Sequence, residues 1–318
     1  MTDIYLMSKT FAPPPGIIAS SMTPFDADGR PKLNAIKPHI DWLVDQGVAG
    51  ISPIGTAGEI FAIESNDRKA VLESVMKANN GRVPVVAGTH HYSTAITIDL
   101  SRHAQSVGAD ATLIVPSYYA APTSLQMMDH YRRIAEAVSI PTVLYHNAAM
   151  TGVELSTEQV VQLFEEKAIV GVKFSTVFPD RLVELLQSTG GKLPIYAGYD
   201  FVAVEGLCHG VHGWISGLPS IVPAAAVKLY KAVVTQDLVA ARKQWALLSP
   251  LMRFMFESRN NQYNGAHSIA VMKAALNMIG PDVGVPQLPI AKLDAPRQAK
   301  LASMLSALGY EIQQPFNA

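Results

Sequence analysis

The 318-residue sequence predicts an α/β fold, a TIM (β/α)8 barrel with appended C-terminal helices. Three observations predict it. Short apolar runs rich in β-branched residues alternate with longer segments of helical period, eight times in succession. Strands separated by helices pair in parallel with both faces covered, and eight such units favour closure into a ring. The runner-up, a doubly wound open sheet, lacks its usual signature, because no Gly-rich dinucleotide fingerprint follows the first strand.

Taken in order, residues 1–15 read as an N-terminal arm with a Pro13-Pro14-Pro15 run and no apolar stretch of signal-peptide type. The barrel then occupies 16–236. Its strands fall at 16–25, 48–54, 83–88, 111–115, 141–145, 168–175, 194–199 and 212–216. Its helices fall at 34–46, 65–78, 94–107, 124–138, 156–167, 182–188, 201–208 and 223–234. The remainder, 237–318, shows helical periodicity and no convincing strand. Three helices are expected there, 238–257, 267–278 and 295–308, broken at Asn260-Asn261 and at the Gly280-Pro281 turn.

Composition narrows the function. A 49% hydrophobic content supplies a large core, and 25 Lys+Arg against 26 Asp+Glu leave a net charge of -1. Nothing basic enough for nucleic acid stands out, and no apolar run reaches membrane-spanning length. The single cysteine, Cys208, excludes an intrachain disulfide framework and a cysteine-cluster metal site. A soluble cytoplasmic protein is the expectation.

Chemistry centres on Ala168-Ile169-Val170-Gly171-Val172-Lys173-Phe174-Ser175, a buried-strand pattern holding one ammonium. A charge sealed in an apolar strand costs several kcal/mol unless it is paired or sheds its proton. A neutral amine there is a nucleophile able to condense with a carbonyl. The bland alternative is a lysine snorkelling or salt-bridged at a strand end. By alternation Lys173 shares its side with the small Gly171 and Ser175, which leaves room for a substrate. Barrel sites lie at strand carboxyl ends, so the other motifs are sought there. Strand two ends in Gly55-Thr56-Ala57-Gly58-Glu59, where backbone N–H groups could approach an anion. His90-His91-Tyr92 follow strand three, Pro116-Ser117-Tyr118-Tyr119 follow strand four, and Tyr145-His146-Asn147 end strand five. Neither His90-His91 nor His209 with His212 has metal-ligand company, and no metal is expected.

In order along the chain, Gly55-Thr56-Ala57-Gly58-Glu59, Pro116-Ser117-Tyr118-Tyr119, Tyr145 through Thr151-Gly152, Gly171-Val172-Lys173 and Gly213-Trp214-Ile215-Ser216 resemble the dihydrodipicolinate synthase / N-acetylneuraminate lyase family. Met22-Thr23-Pro24-Phe25 with Asp26 and Gly29 matches its first strand, and the likeness runs from about Gly16 into the C-terminal helices. These are class I pyruvate-type aldolases. The resemblance implies Lys173 as Schiff-base lysine for pyruvate or a related 2-keto acid, and Tyr145 as proton shuttle. Thr56 would link Tyr145 to Tyr119, the latter reaching the site of a neighbouring subunit in a homo-oligomer, a dimer of dimers. Backbone at Thr56-Ala57 and Ile215 would hold the keto-acid carboxylate and the lysine region. No cofactor is implied, since the imine is itself the electron sink.

The departures from the family pattern concentrate around the second substrate. Ala57 stands for a common second threonine, His146-Asn147-Ala148 for Asn-any-Pro, Phe174 for an acidic residue, and Gly198-Tyr199-Asp200 for a Gly-Asp-Asp-like turn. Met150 occupies the place of an arginine that clamps a substrate carboxylate. Met150, Tyr118, His91 and Tyr199, with His90 and Tyr92, are the candidates for contacting the partner substrate. The expected activity is aldol cleavage, addition or dehydration of a 2-keto acid. The alternatives are dihydrodipicolinate synthase itself, condensing pyruvate with aspartate semialdehyde, and a silent keto-acid-binding paralogue.

Overall fold

A computed structural model describes residues 11, 13–26, 28–257 and 266–313; the break expected at Asn260-Asn261 and most of the expected N-terminal arm lie outside them. Eight parallel strands form one sheet: β1 Gly16–Ser20, β2 Gly50–Ser52, β3 Val86–Gly88, β4 Ala111–Ile114, β5 Thr142–His146, β6 Gly171–Phe174, β7 Ile195–Ala197 and β8 Gly213–Trp214. Their order is β2-β1-β8-β7-β6-β5-β4-β3, and a parallel bridge from Ile51 to Val85 joins the two ends into a barrel.

The strands are shorter than the apolar runs that predict them. Residues beyond each paired stretch bury their side chains in loops. After Ser20, for instance, the Met22 N–H donates to His39 Nε2 (3.0 Å), and Phe25 pairs only in an isolated antiparallel bridge with Pro31. Burial without ladder pairing gives the same hydrophobic signal as a strand.

Eight helices cover the outside: α1 Ile36–Asp45, α2 Ser65–Asn79, α3 Thr94–Ser106, α4 Ser124–Ala137, α5 Thr157–Glu165, α6 Pro179–Ser188, α7 Ala203–Cys208 and α8 Pro223–Val234. Capping explains several starts. Thr123 with Gln126 and Ser156 with Gln159 form capping boxes at α4 and α5, each satisfying two otherwise orphaned N–H groups. α6 begins three residues before the expected position because Pro179 fits the first helical turn and Asp180 complements its dipole.

Strand alternation divides the core in two. Ile18, Val86, Ala111, Leu113, Val143, Tyr145, Tyr196 and Ile215 fill the barrel interior. Ile17, Ile51, Ile114, Leu144, Val172, Phe174, Ile195 and Trp214 face the helices. Inside, the Tyr196 hydroxyl donates to the Pro13 carbonyl, so the segment before β1 caps the amino-terminal end of the barrel.

Three further helices, α9 Leu238–Met255, α10 Ser268–Ile279 and α11 Ala295–Ala307, pack as a layer against α8 and the one-turn helix Leu218–Ile221. A buried ion pair ties this layer to the barrel. Lys273 Nζ on α10 lies 2.7 Å from Glu59 Oε1 after β2, with side chains 1% and 0% exposed. The ammonium also donates to the carbonyls of Thr23 (3.0 Å) and Val285 (2.9 Å), and Glu59 Oε2 accepts from the Gln287 N–H (2.7 Å). Every donor on the nitrogen therefore has a partner, as a buried charge requires. No helix among the described residues is long and apolar enough to cross a membrane.

Candidate active site

Lys173 and Tyr145 are register partners on β6 and β5, and both point into the carboxyl end of the barrel. The lysine is 6% exposed, and its Nζ stands 3.8 Å from the centroid of the Tyr145 ring. Gly171 below and Ser175 above share its side of the strand, as alternation predicts. Burial alone would raise the Tyr145 phenol. The Lys173 charge and hydrogen bonds from Asn147, Thr56 and Ser175 outweigh it and bring the group below its ordinary value. Thr56 is thus brought to the phenol.

The loop bearing Thr56 is held by backbone strain. Ile54 and Glu59 both take left-handed φ (58° and 56°), costly for a β-branched residue in particular. The turn is possible because Gly88 on β3 has no side chain: a Cβ there would lie 1.9 Å from the Ile54 carbonyl oxygen. Past this bend the N–H groups of Thr56 and Ala57 have no acceptor among the described residues. Two adjacent unused donors beside a lysine suit a carboxylate. Ile215 differs from them: its N–H already donates to the Ala197 carbonyl at 3.0 Å, which leaves only its own carbonyl for the lysine region.

Around this centre lie two titratable neighbours. Asp200, wholly buried after β7, accepts from Trp214 Nε1 (3.0 Å) and the Leu218 N–H (3.4 Å). Burial raises its carboxyl to about 6, against the pull of Ser216, Leu218, Trp214 and the Lys173 charge. His90 is pushed down to about 3 by burial and by the charges of Arg68 and Lys173, with the Leu113 carbonyl opposing, so it stands as a neutral ring.

The remaining candidates separate. Tyr199 is buried, and its hydroxyl donates to Asn147 Oδ1 at 3.0 Å. His91, Tyr92 and Tyr118 line a cavity of about 390 Å³ together with Arg68 and His90, and His90 also feels the Lys173 charge. His91 Nδ1 there accepts the Ser93 N–H (2.9 Å) just before α3. Met150 sits 55% exposed on the one-turn helix Ala148–Thr151. Tyr119 is fully exposed and left-handed, with φ of 73°, its ring aimed away from its own chain. Asn147 and Asp200 join the centre although the sequence reading gave them no role. Alternation was the signal for Asn147, two residues beyond Tyr145.

Two of the departures prove to lie behind the wall of the site. His146 and Phe174 are register partners on the outward face of β5 and β6, their rings stacked at 4.4 Å and 1°. His146 Nε2 accepts the Leu155 N–H (3.1 Å), and Arg181 stands 5.7 Å from the Phe174 ring. Burial, aided by Arg181 and opposed by Glu154, lowers His146 to about 4. An Asn-to-His and an acid-to-Phe change therefore make one aromatic contact and leave the chamber alone.

Residues 13–308 match the model of the dihydrodipicolinate synthetase family. A 4-hydroxy-tetrahydrodipicolinate synthase from Pelobacter propionicus is 33% identical over 294 residues, 92% of this chain and 98% of that one. Among solved structures, a putative dihydrodipicolinate synthetase from Pseudomonas aeruginosa superposes with a TM-score of 0.87 at 31% identity, covering 92% of this chain and 99% of the other. YagE, a prophage protein of the dihydrodipicolinic acid synthase family from E. coli K12 solved with pyruvate, gives 0.85 at 29%, covering 93% and 99%. A lysine and tyrosine paired in the mouth of a closed barrel agree with that likeness, and the chain belongs to the dihydrodipicolinate synthetase family, among the pyruvate-using class I aldolase-type lyases.

Proposed function

We propose that Lys173 forms an imine with pyruvate or a related 2-keto acid, and that the bound enamine adds to, or is released from, a second carbonyl compound. The observation that carries this is the buried Lys173 amine 3.8 Å from the Tyr145 ring, at the carboxyl end of the barrel. The neutral amine adds to the keto carbon, the carbinolamine loses water, and the protonated imine then draws electrons from the neighbouring carbon. Tyr145 moves the protons of these steps, helped by Thr56, and the free N–H groups of Thr56 and Ala57 hold the carboxylate. The imine is the electron sink, so neither metal nor organic cofactor enters the scheme. Tyr119, unsupported by its own chain, completes the relay of a second copy in a dimer or a dimer of dimers.

Incubation with pyruvate and borohydride tests the centre of this reading. One reduced adduct per chain is expected, on the peptide containing Lys173, and Lys173→Ala should abolish it. No adduct at saturating pyruvate, or one on another lysine, refutes it.

A second reading has its own support. Relatives about one-third identical are named 4-hydroxy-tetrahydrodipicolinate synthase, which favours condensation of pyruvate with aspartate semialdehyde. Against it stands Met150 at the mouth, where the resemblance places an arginine. A charge-assisted contact contributes about 1.5–3 kcal/mol, so its loss costs roughly one to two powers of ten in use of that substrate. A kcat/KM for the semialdehyde near 10⁵ M⁻¹s⁻¹, within the range of about 10⁴–10⁸ common to enzymes, would favour the synthase.

A further inference from the structure

Asn147 lies immediately after β5 and is 3% exposed. Its Nδ2 donates to the Tyr145 hydroxyl at 3.0 Å, and its Oδ1 accepts from the Tyr199 hydroxyl at 3.0 Å. One amide therefore joins the shuttle phenol on β5 to a tyrosine at the end of β7. We infer that Asn147, anchored by Tyr199, is a positioning residue for Tyr145, holding the phenol as an acceptor so that its proton leaves only on the side of Lys173, Thr56 and Ser175. This inference rests on the imine chemistry proposed above.

The reasoning is electrostatic. An amide can turn either end toward Tyr145, and the two orientations have opposite effects. With the N–H toward the phenol it stabilises the phenolate; with the carbonyl toward it, it stabilises the proton. Lys173 lies over the Tyr145 ring and favours the phenolate, so the donor end belongs there. Tyr199 then donates to the carbonyl end and fixes the choice. An amide neither takes nor releases a proton near neutrality. Its contact is consequently a dead end for transfer, and the phenol must exchange its proton through the hydroxyls and the substrate instead.

Other titratable groups around this centre set the background for any pH measurement. They are Lys173 on β6, His90 following β3 and Asp200 following β7; His90 is neutral over the working range, and Asp200 is raised to about 6 by burial.

The test needs no second substrate. Imine formation lets C3 of pyruvate lose a proton to Tyr145 and regain one from solvent, so NMR in deuterated buffer reads the shuttle while borohydride trapping reads imine formation. For Asn147→Ala, the extent of trapping after equilibration with pyruvate, which does not depend on how fast Tyr145 moves protons, should stay within about twofold of wild type, while exchange slows roughly tenfold or more, the loss expected for a hydrogen bond to a charged group. Its exchange profile should also move to higher pH, since the phenol has lost a donor. Tyr199→Phe should act in the same direction by a smaller factor. Asn147→Asp carries a diagnostic sign: the protonated acid still donates to Tyr145, so its rate relative to wild type should be highest in acid and fall as the carboxyl ionises.

Exchange and pH profile unchanged in Asn147→Ala and Tyr199→Phe would overturn the inference. So would an equal fall of trapping and exchange in both, the mark of simple packing. Should circular dichroism show Asn147→Ala unfolded, Tyr199→Phe, which removes one oxygen, decides alone. Wild-type protein that traps no pyruvate would instead defeat the underlying imine reading, and this inference with it.

Discussion

Lys273→Met is the substitution whose cost can be worked furthest from the structure. It leaves Glu59 wholly buried, with the Gln287 N–H as its one donor among the described residues, and takes the Lys273 ammonium from the carbonyls of Thr23 and Val285. Removing one member of a buried ion pair costs about 3–5 kcal/mol, because the other charge is stranded in a medium that cannot solvate it. With an unfolding entropy of about 2.1 cal/mol/K per residue, each kcal/mol lowers the melting temperature of a 318-residue chain by about 1.5 °C, so a fall of roughly 4–8 °C is expected. Thermal scans at one fixed rate, with guanidinium titrations alongside, measure it. The double variant Glu59→Met with Lys273→Met removes both charges and should recover at least half of the loss, since apolar replacement of such a pair is often neutral. Because Glu59 closes the strained turn that carries Thr56 and Ala57, pyruvate trapping should weaken in the single variant as well. A single variant destabilised by less than about 1 kcal/mol, or a double variant that merely adds the two single losses, would refute the reasoning.

Stability should also fall in mild acid. His39 and His90 are lowered to about 3 and His130 and His146 to about 4, chiefly by burial, from 6.5. The unfolded chain then binds protons that the folded chain refuses, so stability is full above about pH 6.5 and is lost toward pH 4, by at most about 1.4 kcal/mol per pH unit for each ring. Asp200, raised to about 6, acts oppositely between about 3.8 and 6; melting curves from pH 7.5 to 4.5 should show the histidines prevailing, and His146→Gln should flatten the slope. Mixing Tyr119→Phe chains with Lys173→Ala chains should restore turnover if Tyr119 serves a neighbour, whereas no recovery despite subunit exchange would assign it to its own chain. Met150→Arg should raise aspartate semialdehyde use by roughly tenfold or more, read in a coupled assay. Gly88→Ala should both destabilise the barrel and impair trapping, because the new Cβ would overlap the Ile54 carbonyl.

Much of the fold was legible in the sequence because short apolar, β-branched runs give way to segments of period about 3.6 eight times over. What the pattern overstated was strand length, since Met22 and Phe25 are apolar for the sake of loop and layer packing. Lys173 was legible as one charge in an apolar strand, whereas Tyr145 was legible only through the family resemblance, its place beside Lys173 being a matter of register between β5 and β6. The direction of His146 and Phe174 was available from alternation, yet only the register between β5 and β6 shows that their rings meet. Asn147 and Tyr199 illustrate the general difficulty. They are 52 residues apart, and a hydrogen bond between separate strand ends leaves no local trace in composition or spacing.

The cap at the amino-terminal end of the barrel has a consequence for how the protein is made. Tyr196 on β7 donates to Pro13, 183 residues earlier, and β1 pairs with β8 through Gly16 and Gly213. At synthesis rates of about 5–20 residues per second, the early segment waits roughly 10–40 s for its partner to appear. Through that interval the nascent sheet has two open edges and no floor, a template for mispairing with other chains. Closure thus waits until about two-thirds of the polypeptide has been made, and the yield of native barrel should depend on chain concentration and chaperone supply during translation more than on the strength of any one strand.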